Sequence, residues 1–186
     1  MSSLKSISSR LTTPVMAGGA VLAASGVAQL FNTHPADQAE LIDLGDYLVL
    51  AFFALGLVLI SPGFLALADY ARSRKGAIAA SAGTLALGLT CLTSLAHGSD
   101  YGFFTVVAPL TNGLWLFGSI ALAVSLRRAG RVPKAVYVGL PLVWVAVIPL
   151  SQFGMAALAG GYWIAIGYLL STSGLRHQAP AAPVTA

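Results

Sequence analysis

From Tyr47 to Ala68 the chain runs for 22 residues without a charged side chain, bracketed by Asp46 and Asp69. An α-helix rises about 1.5 Å per residue, so this run matches the ~30 Å hydrocarbon core of a bilayer. Arg72, Arg74 and Lys75 follow it, a basic cluster of the kind that holds a helix end at the cytoplasmic face. The rest of the chain repeats the pattern. Charged residues make up 9% of its 186 residues and hydrophobic ones 57%, with a mean hydropathy of +0.83. Ordinary soluble domains are about 25% charged, and one soluble core of this length cannot hide so much apolar surface. Lipid is the expected solvent, and the plasma membrane the expected location.

The formal net charge of +4 does not point to nucleic acid. The bases fall in short clusters beside apolar runs, not across a groove-sized face. Cys91 is the one cysteine, which excludes an intrachain disulfide. Abundant Ala, Gly and Leu, with Arg in excess of Lys, read as a bacterial coding bias.

Taken in order, residues 1–10 form a polar cytoplasmic segment holding Lys5 and Arg10. The first apolar run follows, and it admits two readings. A cleaved signal peptide would show a basic start and small residues such as Ser25-Gly26-Val27-Ala28. The run continues through Leu30 and Phe31, however, which favours a retained helix; cleavage after Ala28 would leave five spans. His34 to Gly45 is a polar loop, in which Asp37 to Leu44 suits a short interfacial helical turn after Pro35. Ser61-Pro62-Gly63 is expected to bend the second helix. In the third run Ser81, Thr84, Gly88, Cys91 and Ser94 recur at steps of three and four, the pattern of a close helix–helix contact. The last run, Ala135 to Leu175, has 41 residues without a charge between Lys134 and Arg176, about twice one span. It must turn back on itself, and Pro149 to Gly154 is the one plausible reversal.

The result is an all-α integral membrane protein, a bundle of six transmembrane helices in three up-down hairpins. The expected helices are 12–32, 46–70, 77–97, 102–126, 134–150 and 154–172, within a membrane domain of residues 11–172, with a disordered tail over 173–186. Small-residue rows such as Gly19/Ala23/Val27 and Ala157/Gly161 are expected to pack the first and sixth helices. All ten Lys and Arg fall on one side of this topology and five of six acids on the other, so both termini are expected inside. Asp69 is the exception, within reach of Arg72 or Arg74. A faint likeness between the ends of helices two and four hints at tandem hairpins.

The sharpest chemical feature is a doubled pair, His34-Pro35-Ala36-Asp37 and His97-Gly98-Ser99-Asp100. Imidazole and carboxylate at that spacing suit a metal at the outer face, with Asp46 or water completing it, or a histidine base oriented by its acid. Prolines and glycines within both motifs equally suit plain solvated turns. No Asp, Glu, Lys, Arg or His lies in the middle of any expected helix, which argues against ion-coupled transport. Asn112 is the strongest mid-membrane polar group, a helix–helix glue or, with Trp115, Trp144 and Trp163, part of a substrate pocket. Asp46 is expected to cap the second helix. With Asp100, His34 and His97 it is also the candidate catalytic set of an enzyme that moves protons on a lipid or isoprenoid. No phosphate loop, paired-cysteine metal site, serine elbow or HExxH is present, and no resident cofactor is expected. Three classes of function remain: a non-catalytic protein holding a hydrophobic molecule, lipid or membrane partner protein; a small membrane enzyme of that proton-transfer type; and a channel, carrier or subunit of one.

Overall fold

The computed structural model describes residues 2–32, 34–35 and 40–172, with side chains from residue 11 onwards. Asp37 and the predicted 173–186 tail lie outside the described residues. Within them the chain is helical: α1 (Ser2–Phe31), α2 (Leu44–Ala68), α3 (Lys75–His97), α4 (Phe104–Ala129), α5 (Lys134–Val147) and α6 (Ala156–Ser171). Four stretches are long and apolar enough to cross a membrane: Leu11–Phe31, α2, α3 and α4. Leu55, Phe117 and Leu158 are large apolar side chains turned outward, as expected where lipid replaces water. These features mark a multi-pass membrane protein.

Helix α1 starts well before the expected residue 12. Ser2–Arg10 contains no glycine or proline to stop it, and Pro14 is accommodated within the helix. α2 likewise continues through Pro62. α5 and α6 are short, at 14 and 16 residues. The reversal between them falls where the sequence places it, as a 3-10 turn over Ser151–Phe153 closed by Gly154 at φ 69°. A left-handed residue is what lets the chain turn that sharply without a Cβ penalty. The expected interfacial turn is absent from its described part: Glu40 instead forms an isolated antiparallel bridge with Ser99.

Each helix packs on its neighbours in the chain, and α6 closes back on α1, so the six form a ring. Small residues set how closely they approach. Between α1 and α6 a Cβ on Gly160 would strike the backbone of Gly19 and Ala23, and one on Gly26 would strike Ala157. The rows therefore differ from those expected. Gly160 carries the contact while Gly161 faces outward, and Val27 is exposed while Gly26 is buried. A helix that is apolar all round has no polar face to reveal its register, so the choice between adjacent small residues is made by packing alone. Between α3 and α4, Gly76 and Gly83 meet the backbone of Leu122 and Trp115, while Gly118 meets Ala80. The α3 stripe of Ser81, Thr84, Gly88, Cys91 and Ser94 is buried throughout.

Candidate functional site

Helix α2 begins with a reciprocal cap. The Asp46 amide donates to Asp43 Oδ1 at 3.1 Å, and the Asp43 amide donates back to Asp46 Oδ2 at 3.3 Å. The capping residue is thus Asp43, not Asp46, which sits three residues inside the helix as the returning partner of a capping box. Asp46 is 4% exposed, and its carboxylate is well supplied with donors. Oδ1 accepts from Asn32 Nδ2 at 2.8 Å and Oδ2 from the Ile42 amide at 2.8 Å. His34 Nδ1 lies 3.2 Å from Asp46 Oδ2 and 3.7 Å from Asp43 Oδ2, but is not aligned for a hydrogen bond with either. Gln29 Nε2 donates to the His34 carbonyl at 3.1 Å. The end of α1 is thereby sewn to the start of α2.

The loops that carry the two His–Asp motifs do meet, through backbone. The Leu41 amide donates to the Gly98 carbonyl at 2.9 Å beside the Glu40–Ser99 bridge, and Gly98 takes φ 81° to end α3. Their side chains take different directions. His97 is exposed and stacks on Tyr101 at 4.3 Å, which stacks in turn on Phe103. Asp100 accepts a 2.6 Å hydrogen bond from Ser94 Oγ. Among the described residues the one His/Cys/Asp/Glu group compact enough for a metal ion is His34, Asp43 and Asp46, with ligand atoms within 4.8 Å of one another. His97 and Asp100 are not part of it.

A cavity of about 280 Å³ opens in the ring at this acid-bearing end. α1 contributes Ser25, Gln29 and Asn32; α2 contributes Asp46, Leu50 and Phe53. α3 adds Leu87, Cys91 and Ser94, and α4 adds Phe104, Ala108 and Asn112 beside Asp100. The tip of the short α5–α6 hairpin, from Val147 to Ala156, and the loop residues Pro35, Leu41 and Ser99 supply the remaining wall. The volume is roughly twice that of a ~150 Å³ apolar cavity that takes up benzene in another protein. Most of the wall is apolar, with a few polar groups, which is the usual make-up of a small-molecule site.

Three of the sequence-predicted residues line this cavity: Asp46, Asp100 and Asn112. Asn112 is also the glue expected of it, since its Oδ1 accepts from Trp144 Nε1 at 3.1 Å and its Nδ2 donates to the Ala108 carbonyl at 2.9 Å. Trp144 therefore acts on the wall through Asn112 and joins α5 to α4. Trp115 is fully buried, its backbone against Gly83 of α3, and Trp163 is fully buried, edge-on to Phe64 at 4.8 Å. Neither is a wall residue. Gln29 and Asn32 escaped the sequence reading, although two amides three residues apart at the end of an apolar helix are themselves a signal.

On α3, Thr84 of the stripe and its neighbour Thr90 bond to their own helix, Thr84 Oγ1 to the Ala80 carbonyl and Thr90 Oγ1 to the Ala86 carbonyl, while Ser94 reaches Asp100. Such back-bonding satisfies a hydroxyl locally. Comparison of the chain with protein-family models, curated proteins and solved structures finds no match.

Proposed function

We propose that this chain is a plasma-membrane protein crossing the bilayer six times, with both termini cytoplasmic, that holds a small, mainly apolar molecule without transforming it. The observation that carries this reading is the 280 Å³ cavity inside the ring, walled by all six helices or their immediate flanks. The topology is supported by the charge pattern, with the bases of the described loops between α2 and α3 and between α4 and α5 at one end of the bundle and the cavity at the other. To the four long spans the α5–α6 reversal adds a shorter hairpin that returns the chain to the base-bearing end. Two helices of 14 and 16 residues reach only about 21–24 Å, so their tip falls short of the acid-bearing surface and meets the cavity. The Asp46 carboxylate favours binding over catalysis, because an acid held by three N–H donors has little reason to give up or take a proton.

The test is mass spectrometry of the protein purified in mild detergent. Wild type is expected to release a small apolar molecule on denaturation, and Ala108→Phe, which fills the wall, to release much less. Folded wild type that releases nothing beyond bulk lipid overturns the reading. For the topology, impermeant labelling of single cysteines placed at Arg72 or Lys134 in intact cells is expected to fail; efficient labelling there overturns the six-span layout.

Asp100 favours a second reading, a membrane enzyme acting on a lipid or isoprenoid. Only its Oδ1 is engaged, by Ser94, and it lines the cavity, where one carboxyl oxygen is left to meet a bound molecule. On this reading Asp100→Asn still binds the molecule but no longer converts it; on the first, the molecule leaves the protein chemically unchanged in both forms.

A further inference from the structure

The cavity's polar groups are not a random mixture of donors and acceptors. Three of its four serine hydroxyls are engaged by the protein: Ser25 Oγ donates to the Val49 carbonyl, Ser94 Oγ to Asp100, and Ser151 Oγ to the Ile148 carbonyl. One N–H of each amide nitrogen has a protein acceptor as well, Gln29 on the His34 carbonyl, Asn32 on Asp46 and Asn112 on the Ala108 carbonyl. Acceptor capacity remains as well, and it is the part that carries negative charge. Gln29 is 5% exposed, yet its Oε1 has no partner among the described residues. Asp100 offers a second carboxyl oxygen, and the Asp46 carboxylate lies in the same wall. Among the described residues no Lys, Arg or His lines the cavity; His34 stands 3.2 Å from Asp46, whereas Asp100 forms no ion pair. Phe53 and Phe104 add aromatic faces, which attract cations through the ring quadrupole.

A buried acceptor without a donor is costly, and an acidic wall in a low-dielectric interior favours a positive guest. From this we infer that the cavity takes an apolar amine: a compact hydrocarbon body with a protonated, hydrogen-bond-donating head directed at Asp100 and Gln29. The inference rests on the cavity being a binding site, as proposed above. A neutral alcohol satisfies the acceptors but gains nothing from charge. A carboxylate meets acceptors and negative charge together, and is excluded.

The test titrates the purified full chain in neutral detergent with three probes of one naphthalene body: 2-naphthylmethylamine, 2-naphthylmethanol and 2-naphthoate. Wild type, Asp100→Asn, Gln29→Leu and Ala108→Phe are compared, so that partitioning into micelles cancels. The amine is expected to bind wild type about tenfold more tightly than the alcohol, in line with a charge-assisted hydrogen bond, and the naphthoate not at all. Asp100→Asn, which keeps the shape of the wall, is expected to remove about that tenfold for the amine and to change the alcohol by less than about twofold. Gln29→Leu is expected to weaken both. Naphthoate binding as tightly as the amine, or amine affinity unchanged in Asp100→Asn, overturns the inference while leaving the cavity a binding site. If no probe distinguishes wild type from Ala108→Phe, the binding site itself is overturned.

Discussion

The two ends of this bundle are built from similar residues and closed in opposite ways. At the base-bearing end helices touch. Gly76 and Gly118 bring α3 and α4 to backbone contact, Phe64 and Leu67 of α2 and Leu126 of α4 are fully buried, and Trp163 packs on Phe64. Tyr162 from α6 donates to the Val136 carbonyl of α5 at 2.6 Å. At the acid-bearing end the same helices leave about 280 Å³ between them, bounded by capping carboxylates, amides and paired loops. Close packing dominates the first end; at the second, the glycine contacts of Gly26 and Gly154 are joined by a network of hydrogen bonds around Asp46. Two neutral surfaces can close without loss, whereas carboxylates and amides that already have partners resist being pressed together, because desolvating them further gains no new bond.

The largest expected effect tests whether the ends really differ in tightness. A Cβ at Gly118 would run into the backbone of Ala80, which no side-chain rotation can relieve, so Gly118→Leu is expected to cost more than about 3 kcal/mol or to abolish folding. Ala108→Leu adds a similar volume beside the cavity, and is expected to be neutral or to stabilise by about 0.5–1 kcal/mol. Unfolding in mixed micelles, followed by tryptophan fluorescence, measures both. Equal losses would mean that the acid-bearing end is as full as the other.

The two acids make the next comparison. Asp46→Ala leaves the Asn32 amide and the Ile42 and Asp43 N–H groups without their acceptor, at an expected cost of about 2–4 kcal/mol. Asp100→Ala removes one partner, Ser94, and is expected to cost less than about 1 kcal/mol while removing the amine's roughly tenfold advantage over the alcohol. Stability and ligand affinity should thus separate between two carboxylates of one wall. A large stability loss at Asp100 would make it another structural cap.

How far these distinctions could be read from the sequence depends on the kind of contact. Span lengths and the α5–α6 reversal follow from uncharged run length and proline, which are local. Asp69 was expected to find a base one turn on, and pairs with Arg74 at 2.8 Å. The cap was off by one role, because Asp43 and Asp46 are identical acids three apart and only backbone geometry says which stands outside the helix. Gly160 against Gly161 was beyond a helix with no polar face. The cavity was legible only in pieces: Asp46, Asp100 and Asn112 were singled out, but their convergence depends on the Glu40–Ser99 bridge and on how far the α5–α6 tip reaches. Those are long-range contacts, which no periodicity carries.

The smallest effects ask what holds the loop between α2 and α3 at the base-bearing end. Two of that loop's side-chain contacts differ in kind. Arg74 pairs with Asp69, but their side chains are 66% and 38% exposed, and water and salt compete for such a pair. Ser125 Oγ, which is mostly buried on α4, accepts from the Ser73 amide at 2.9 Å. Arg74→Ala is therefore expected to cost no more than about 0.5 kcal/mol, and nothing measurable in high salt. Ser125→Ala orphans a backbone N–H and is expected to cost about 1 kcal/mol at any salt. If the charged contact proves the stronger, the base-bearing end is clasped by its ions. If the neutral one does, as the burial of each contact indicates, the bases there set which way the chain faces while packing and neutral bonds hold it shut.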